Sequence, residues 1–207
     1  AAILQAPNNT FFVASNNNGG TVYAIDSNSE ILYELNATQL YSRTGTQFAL
    51  SPIQAYDGKL YVGASQFPID MPSSWTVTGA IIVFDADTGI EERKIGSSLG
   101  LVHNDLFGQK FKVGSNRIVS MKGWYPYKNV SVVILDLEGN LIAEISDTNV
   151  VNNLNINSIE ISDNYIFIGD HNNTYQGGTR PGAVHVYDLD GNFVQTLYSP
   201  TPSFEEF

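Results

Sequence analysis

Apolar and polar residues alternate in short runs along the whole chain, and the runs come in a repeated order. The plainest are "GTVYAIDSNSE" at 20–30, "GAIIVFDADTG" at 79–89, "SVVILDLEG" at 131–139 and "GAVHVYDLDG" at 182–191. A period of two is the period of a strand, and each run ends on an aspartate followed by turn residues. Upstream of each lies a segment with two β-rich halves around a turn: "ILQAPNNTFFVAS", "IQAYDGKLYVGAS", "FKVGSNRIVSMKG" and "IEISDNYIFIGDH". Their hinges, Pro-Asn, Asp-Gly, Ser-Asn and Asp-Asn, are hairpin turn pairs or near relatives. Downstream comes a fourth run, "ILYEL", "EERKI", "LIAEI" or "FVQTL". One unit therefore predicts four antiparallel strands joined by a tight turn, a long loop and a second tight turn. Helical spacing is nowhere convincing: the only candidate, "NATQLYSR" at 36–43, is short and falls in a linker, so the units are expected to have no helices.

The aspartates that close the alternating runs, Asp26, Asp85, Asp136 and Asp188, stand 59, 51 and 52 residues apart. Repetition near this period, with four strands per unit, predicts an all-β fold, a β-propeller of four four-stranded blades. The blades run over about 1–45, 46–103, 104–153 and 154–207 within a single propeller domain, 1–207. A β-sandwich is the alternative, but it does not explain long loops that return at the same phase of every unit. The C-terminal "SFEEF" at 203–207 reads like the "TQFAL" and "NDLFG" that introduce units two and three. That leaves two arrangements: a closed four-bladed ring whose last segment completes the first blade, or a four-blade portion of a larger propeller.

The "FG" at 107–108, the "VGAS" at 62–65 and the Gly-Ala before two alternating runs resemble the FG-GAP type of propeller repeat. The first unit, "GGTVYAIDSNSEILYEL", is more similar to the repeats of pyrroloquinoline-quinone propellers. FG-GAP blades often carry an aspartate-rich calcium loop, so the resemblance directs attention to "DADTG", "DLEGN" and "DLDGN" at 85–89, 136–140 and 188–192. Calcium takes six to eight oxygens and these loops offer few. Their place between two strands suits a hairpin turn directly. The quinone enzymes place Trp on the last strand of a blade, whereas Tyr33, Arg93 and Ala143 stand near that place here. The expectation is no cofactor, with calcium as the alternative.

Charge narrows the partners. Lys and Arg number 10 against 21 Asp and Glu, a net charge of -11. Nucleic acid rewards a basic face, so neither it nor an anionic membrane surface is the expected partner. No apolar stretch approaches the roughly 20 residues of a membrane-spanning helix, so no membrane insertion is expected. There is no cysteine, which removes disulfides, thiolate metal sites and cysteine nucleophiles. The chain opens on Ala1, as a processed or excerpted polypeptide does.

Catalytic patterns are lacking. His103, His171 and His185 occupy non-equivalent places in their units, and zinc needs three or four convergent ligands. There is no G-x-S-x-G elbow and no Walker loop. No catalytic or metal residue is assigned, and the protein is expected not to be an enzyme.

The loops between strands two and three differ greatly in length, while the strands around them do not: "SNNNGG", "SQFPIDMPSSWTVTG", "KGWYPYKN" and "DHNNTYQGGTRPG". Variable loops on a constant scaffold are the usual arrangement for binding. Both tryptophans of the chain, Trp75 and Trp124, fall in this one class of loop, joined by Phe67, Tyr125, Tyr127 and Tyr175, with Arg180 nearby. Large aromatics and Arg are the residues that anchor interfaces, and aromatic rings also stack on sugars. The candidate binding surface is therefore Trp75, Trp124, Tyr125, Tyr127, Tyr175 and Arg180, facing a protein (a second copy included) or a glycan. Sequons at Asn8, Asn36, Asn129 and Asn172 are acceptors if the protein is secreted by a glycosylating cell. The expected role is a non-enzymatic, extracellular or virion-surface module for binding and assembly. Two alternatives remain: a structural repeat subunit of a fibre or virion joined through its terminal strand, and a hydrolase or lyase with its site at the channel mouth.

Overall fold

The computed structural model describes residues 2–5, 9–15, 20–41, 48–67, 78–123, 130–146, 156–170 and 182–198. Sixteen strands form four sheets, each an antiparallel meander of four strands consecutive in the chain. Sheet one holds β1 (Ala2–Gln5), β2 (Phe11–Ser15), β3 (Thr21–Ile25) and β4 (Ile31–Asn36). Sheet two holds β5 (Phe48–Tyr56), β6 (Lys59–Ala64), β7 (Ala80–Asp85) and β8 (Glu91–Ile95). Sheet three holds β9 (Phe111–Gly114), β10 (Arg117–Lys122), β11 (Ser131–Leu135) and β12 (Leu141–Ser146). Sheet four holds β13 (Ile156–Ile161), β14 (Tyr165–Asp170), β15 (Ala183–Asp188) and β16 (Phe193–Tyr198). The alternating runs are the third strands. One α-helix occurs among the described residues, α1 (Ala37–Tyr41), where the stretch 36–43 was too short for its spacing to predict one. The chain forms two compact units, Ala1–Lys110 and Phe111–Phe207, each with two sheets.

The aspartate that ends each third strand builds the turn to the fourth. Asp188 takes the backbone N–H of Asp190 and Asn192 on Oδ1 at 3.0 and 2.8 Å, and the Asn192 side-chain amide on Oδ2 at 2.8 Å. Asp136 accepts from the backbone and side-chain amides of Asn140, both at 2.8 Å. Asp26 takes the N–H of Asn28 and Glu30, each at 2.8 Å, and Asp85 takes the Thr88 hydroxyl at 2.8 Å. This is an Asx-type turn, in which a short carboxylate stands in for a backbone acceptor. It explains why the same phrase is written four times.

These bonds favour the charged carboxylate. The Asn192 side chain holds Asp188 below the usual aspartate range, the Thr88 hydroxyl does the same for Asp85, and the Glu30 N–H for Asp26. At Asp136 burial pushes upward, but the bonds from Asn140 and the turn backbone outweigh it. A depressed folded-state value means stability that is complete above the unfolded range and is lost as pH falls through the folded value. Melting temperature is therefore expected to hold down to about pH 5 and then fall towards pH 3. In a variant with all four aspartates changed to Asn, which can still accept turn bonds, that acid slope should flatten. Equal slopes in both proteins would place the acid sensitivity elsewhere.

Within each unit the two sheets pack face to face. The face that carries the residue before the closing aspartate is here the leading face, and the opposite one the trailing face. In the first unit the trailing face of sheet one (Phe12, Ala14, Val22, Ala24) and the leading face of sheet two (Leu60, Val62, Ile82, Phe84) are completely buried or nearly so. In the second unit Val119, Met121, Val132 and Ile134 from the trailing face of sheet three share one core with Ile166, Ile168 and Tyr187 from the leading face of sheet four.

The same joint recurs in both units. Tyr33 of β4 donates its hydroxyl to the Ala86 carbonyl, one residue past a closing aspartate, at 2.7 Å, and its ring lies against Gly89. Burial, then the nearby Asp85 and Asp87 charges, push the Tyr33 hydroxyl up, so it remains a protonated donor. In the second unit Arg117 Nε donates to the carbonyl of Leu189, likewise one residue past a closing aspartate, at 3.1 Å. Ala143, the positional equivalent of Tyr33, lies against Gly191.

Candidate binding face

In every sheet the long connection joins the second strand to the third, so both of its feet stand at one end of that sheet. The feet are Ser15 and Thr21, Ala64 and Ala80, Lys122 and Ser131, and Asp170 and Ala183, each a registered pair. Trp75, Trp124, Tyr125, Tyr127, Tyr175 and Arg180 all lie on these connections, outside the described residues. So do His171, Asn129 and Asn172, while Asn8, between β1 and β2, is likewise outside the described residues.

What the structure does describe is the base on which the connections stand. In sheet two the Phe67 carbonyl accepts from the Gly79 N–H at 2.9 Å and from the Thr78 hydroxyl at 3.1 Å. The Phe67 N–H in turn donates to Ala64 at 3.0 Å, which closes the loop at its neck. Lys94 Nζ stands 5.9 Å from the centre of the half-buried Phe67 ring, within cation–π reach. Ala64, Phe67, Thr78 and Gly79 thus form a hydrogen-bonded stem at this end of sheet two.

The other sheets end in polar clusters. In sheet three Glu144 accepts from the Ser131 hydroxyl at 2.7 Å and faces Lys122 at 3.4 Å. In sheet one the Asn36 amide donates to the Thr21 hydroxyl oxygen at 3.0 Å and to Glu34 at 3.4 Å, while its oxygen receives the Gln39 N–H at 3.3 Å and starts α1. That amide nitrogen is the atom a glycan would be attached to, and the side chain is buried, so a sugar there requires local opening. In sheet four His185 Nδ1 lies 2.9 Å from the Thr196 hydroxyl, and its Nε2 lies 3.9 Å from Asp170. His185 and Asp170 are both buried. His185 stands on the leading face of sheet four, between the two sheets of its unit, as its alternation with Val184 and Val186 implies. His103 is exposed, in the stretch between sheets two and three.

The sequence reading passed over Lys122, Ser131, Glu144, Asp170 and Thr196. The available signal was a charged residue at the last position of an otherwise apolar second strand, as in "RIVSMK" and "YIFIGD". Among the described residues no group of three or more His, Asp or Glu could hold a metal ion, and no helix is long and apolar enough to cross a membrane.

The "FG" and "TQF" stretches also acquire a role. Phe48 and Phe107 are fully buried, and their backbones lie against Gly20 and Gly79, each six residues before a closing aspartate. Phe107 makes a single parallel bridge with Gly79, and its N–H donates to Thr78 at 3.0 Å. The phenylalanine that introduces a unit is therefore docked on the long-connection end of the preceding sheet.

No family model matches the chain, and no curated relative does. Solved structures do. BamB from Moraxella catarrhalis superposes with a TM-score of 0.56 at 14% identity, covering 95% of this chain and 49% of that one. Quinohemoprotein alcohol dehydrogenase from Comamonas testosteroni gives 0.61 at 16%, over 92% of this chain and 33% of that one. The Pan2 WD40 domain of Neurospora crassa gives 0.56 at 14%, over 95% and 51%. The chain thus spans between a third and a half of the structures it resembles. All three are β-propellers, and at these identities the likeness establishes the fold: an all-β propeller built of four four-stranded blades.

Proposed function

We propose that these propeller blades form a non-enzymatic binding and assembly module whose partner is a protein, held by the long connections. The supporting observation is a contrast within each blade. The second and third strands are 5 or 6 residues long in every sheet, while the connections between them range from 16–20 to 65–79, and each stands at a defined end of its sheet. Variable loops on constant strands are the usual arrangement for recognition. Trp75, Trp124, Tyr125, Tyr127, Tyr175 and Arg180 are the anchors in this reading, no cofactor takes part, and the setting is extracellular or a virion surface. Kinship with the FG-GAP repeat belongs to the same proposal, supported by the Phe–Gly docking at Phe107 and Gly79.

The test compares the wild-type chain with a Trp75→Ala/Trp124→Ala double variant, both immobilised. Proteins retained from extracts of the source are read by mass spectrometry, and glycans on a printed array. The double variant is expected to lose the retained protein at unchanged melting temperature. Equal retention by both would rule out this surface, and loss of array binding alone would make the partner a sugar.

A further inference from the structure

Among the described residues, each unit has one sheet face whose apolar side chains stand uncovered. On the trailing face of sheet two Tyr61, Ile81 and Val83 are buried, as are Ile118, Ser120, Val133 and Leu135 on the leading face of sheet three. The leading face of sheet one differs. Phe11, Val13, Tyr23 and Ile25 are only half-buried there, Ile3 is 74% exposed and Ile31 62%. The trailing face of sheet four is similar: Phe167 and Val184 are half-buried, Tyr165 is 42% and Leu197 46% exposed, and of its central apolar side chains Val186 alone is buried. Large apolar side chains in two contiguous sheet faces are the mark of surfaces meant to be covered.

We infer that a second copy of this chain covers them, the trailing face of sheet four in one copy packing on the leading face of sheet one in the other. Both joints within the units follow one rule, trailing face onto leading face, and the two exposed faces are one of each kind. They are therefore complements of one another and not of themselves. The polar part of the joint is present as well. In each unit a donor on the trailing side reaches the carbonyl one residue past the closing aspartate of the next sheet. Tyr165 holds in sheet four the place that Arg117 holds in sheet three, the first residue of the second strand, and carries a hydroxyl donor. The turn that would receive it, Ser27–Glu30 of sheet one, is exposed. The interface is heterologous, different surfaces meeting, so it yields closed pairs or longer head-to-tail arrays.

The inference does not depend on the long connections, and its test leaves them intact. Light scattering on the eluting peak is expected to give about 45 kDa, twice the 22.7 kDa of one chain, or a longer array at higher concentration. Tyr23→Lys disables the leading face and Val184→Lys the trailing face, each by setting a charge into an apolar contact. Each variant alone is expected to run as a monomer. Mixed one to one they should pair, because the intact trailing face of the first meets the intact leading face of the second. That pairing also shows that both variants are folded. A wild-type monomer at every concentration would overturn the proposal and leave the faces to a further stretch of polypeptide or another protein. Dimers of Tyr23→Lys alone would overturn it too, since they require like faces to meet.

Discussion

Gly20→Ala is expected to be the most damaging single methyl that can be added to this protein. Gly20 is buried, has φ +110°, and a Cβ there would overlap the backbone carbonyl of Phe48. Backbone cannot rotate away as a side-chain tip can, so the segment entering sheet two would have to leave sheet one. Two costs combine, a conformation open only to glycine and a steric overlap with main chain. The expected loss is about 4 kcal/mol or more, in the range reserved for named structural failures. Gly58 provides the control. It also has positive φ, +69°, but nothing lies within 4 Å of a Cβ placed there. Gly58→Ala should cost about 1 kcal/mol, the conformational part alone. Urea unfolding of the three proteins reads both values. If Gly20→Ala and Gly58→Ala lose the same amount, the docking of Phe48 on Gly20 is not what holds the two sheets together.

The second large effect is expected at Asp170. Its carboxylate and the His185 ring are buried together at 3.9 Å, with Thr196 on the other ring nitrogen. Removing Asp170 takes a polar neighbour from a buried ring that keeps its Thr196 contact, and the loss of one partner by a buried polar group typically costs about 1–3 kcal/mol. Asp170→Ala should therefore lose about 2 kcal/mol. Sheet two shows a working alternative, because its equivalent positions are Ala64 and Ile82, both buried. The double variant Asp170→Ala/His185→Ile imports that set and is expected to recover most of the loss. A double variant as unstable as the sum of the single ones would mean that the two residues act independently.

Much of the architecture was legible because it is local. An alternating run, an aspartate and a turn can be read in any ten-residue window, and the structure returns each as third strand, Asx-type turn and fourth strand. The short helix at Ala37–Tyr41 was not legible, because five residues are too few for a helical period to show. What the aspartates do was only half legible. Their spacing marked the turns, but that Asp136 and Asp188 engage Asn140 and Asn192 through both oxygens needed coordinates.

The sequence by itself determined the unit: four strands, their order, the turns between them and the end from which the long connections leave. These follow from hydrophobic period and turn chemistry, which act over a few residues. The tertiary structure decided which face of each sheet is covered, that Phe48 and Phe107 dock on glycines of the preceding sheet, and that His185 meets Asp170. Those pairings join residues far apart in the chain. Their energy comes from shape, desolvation and main-chain overlap in three dimensions, and a pattern of apolar and polar letters carries none of these.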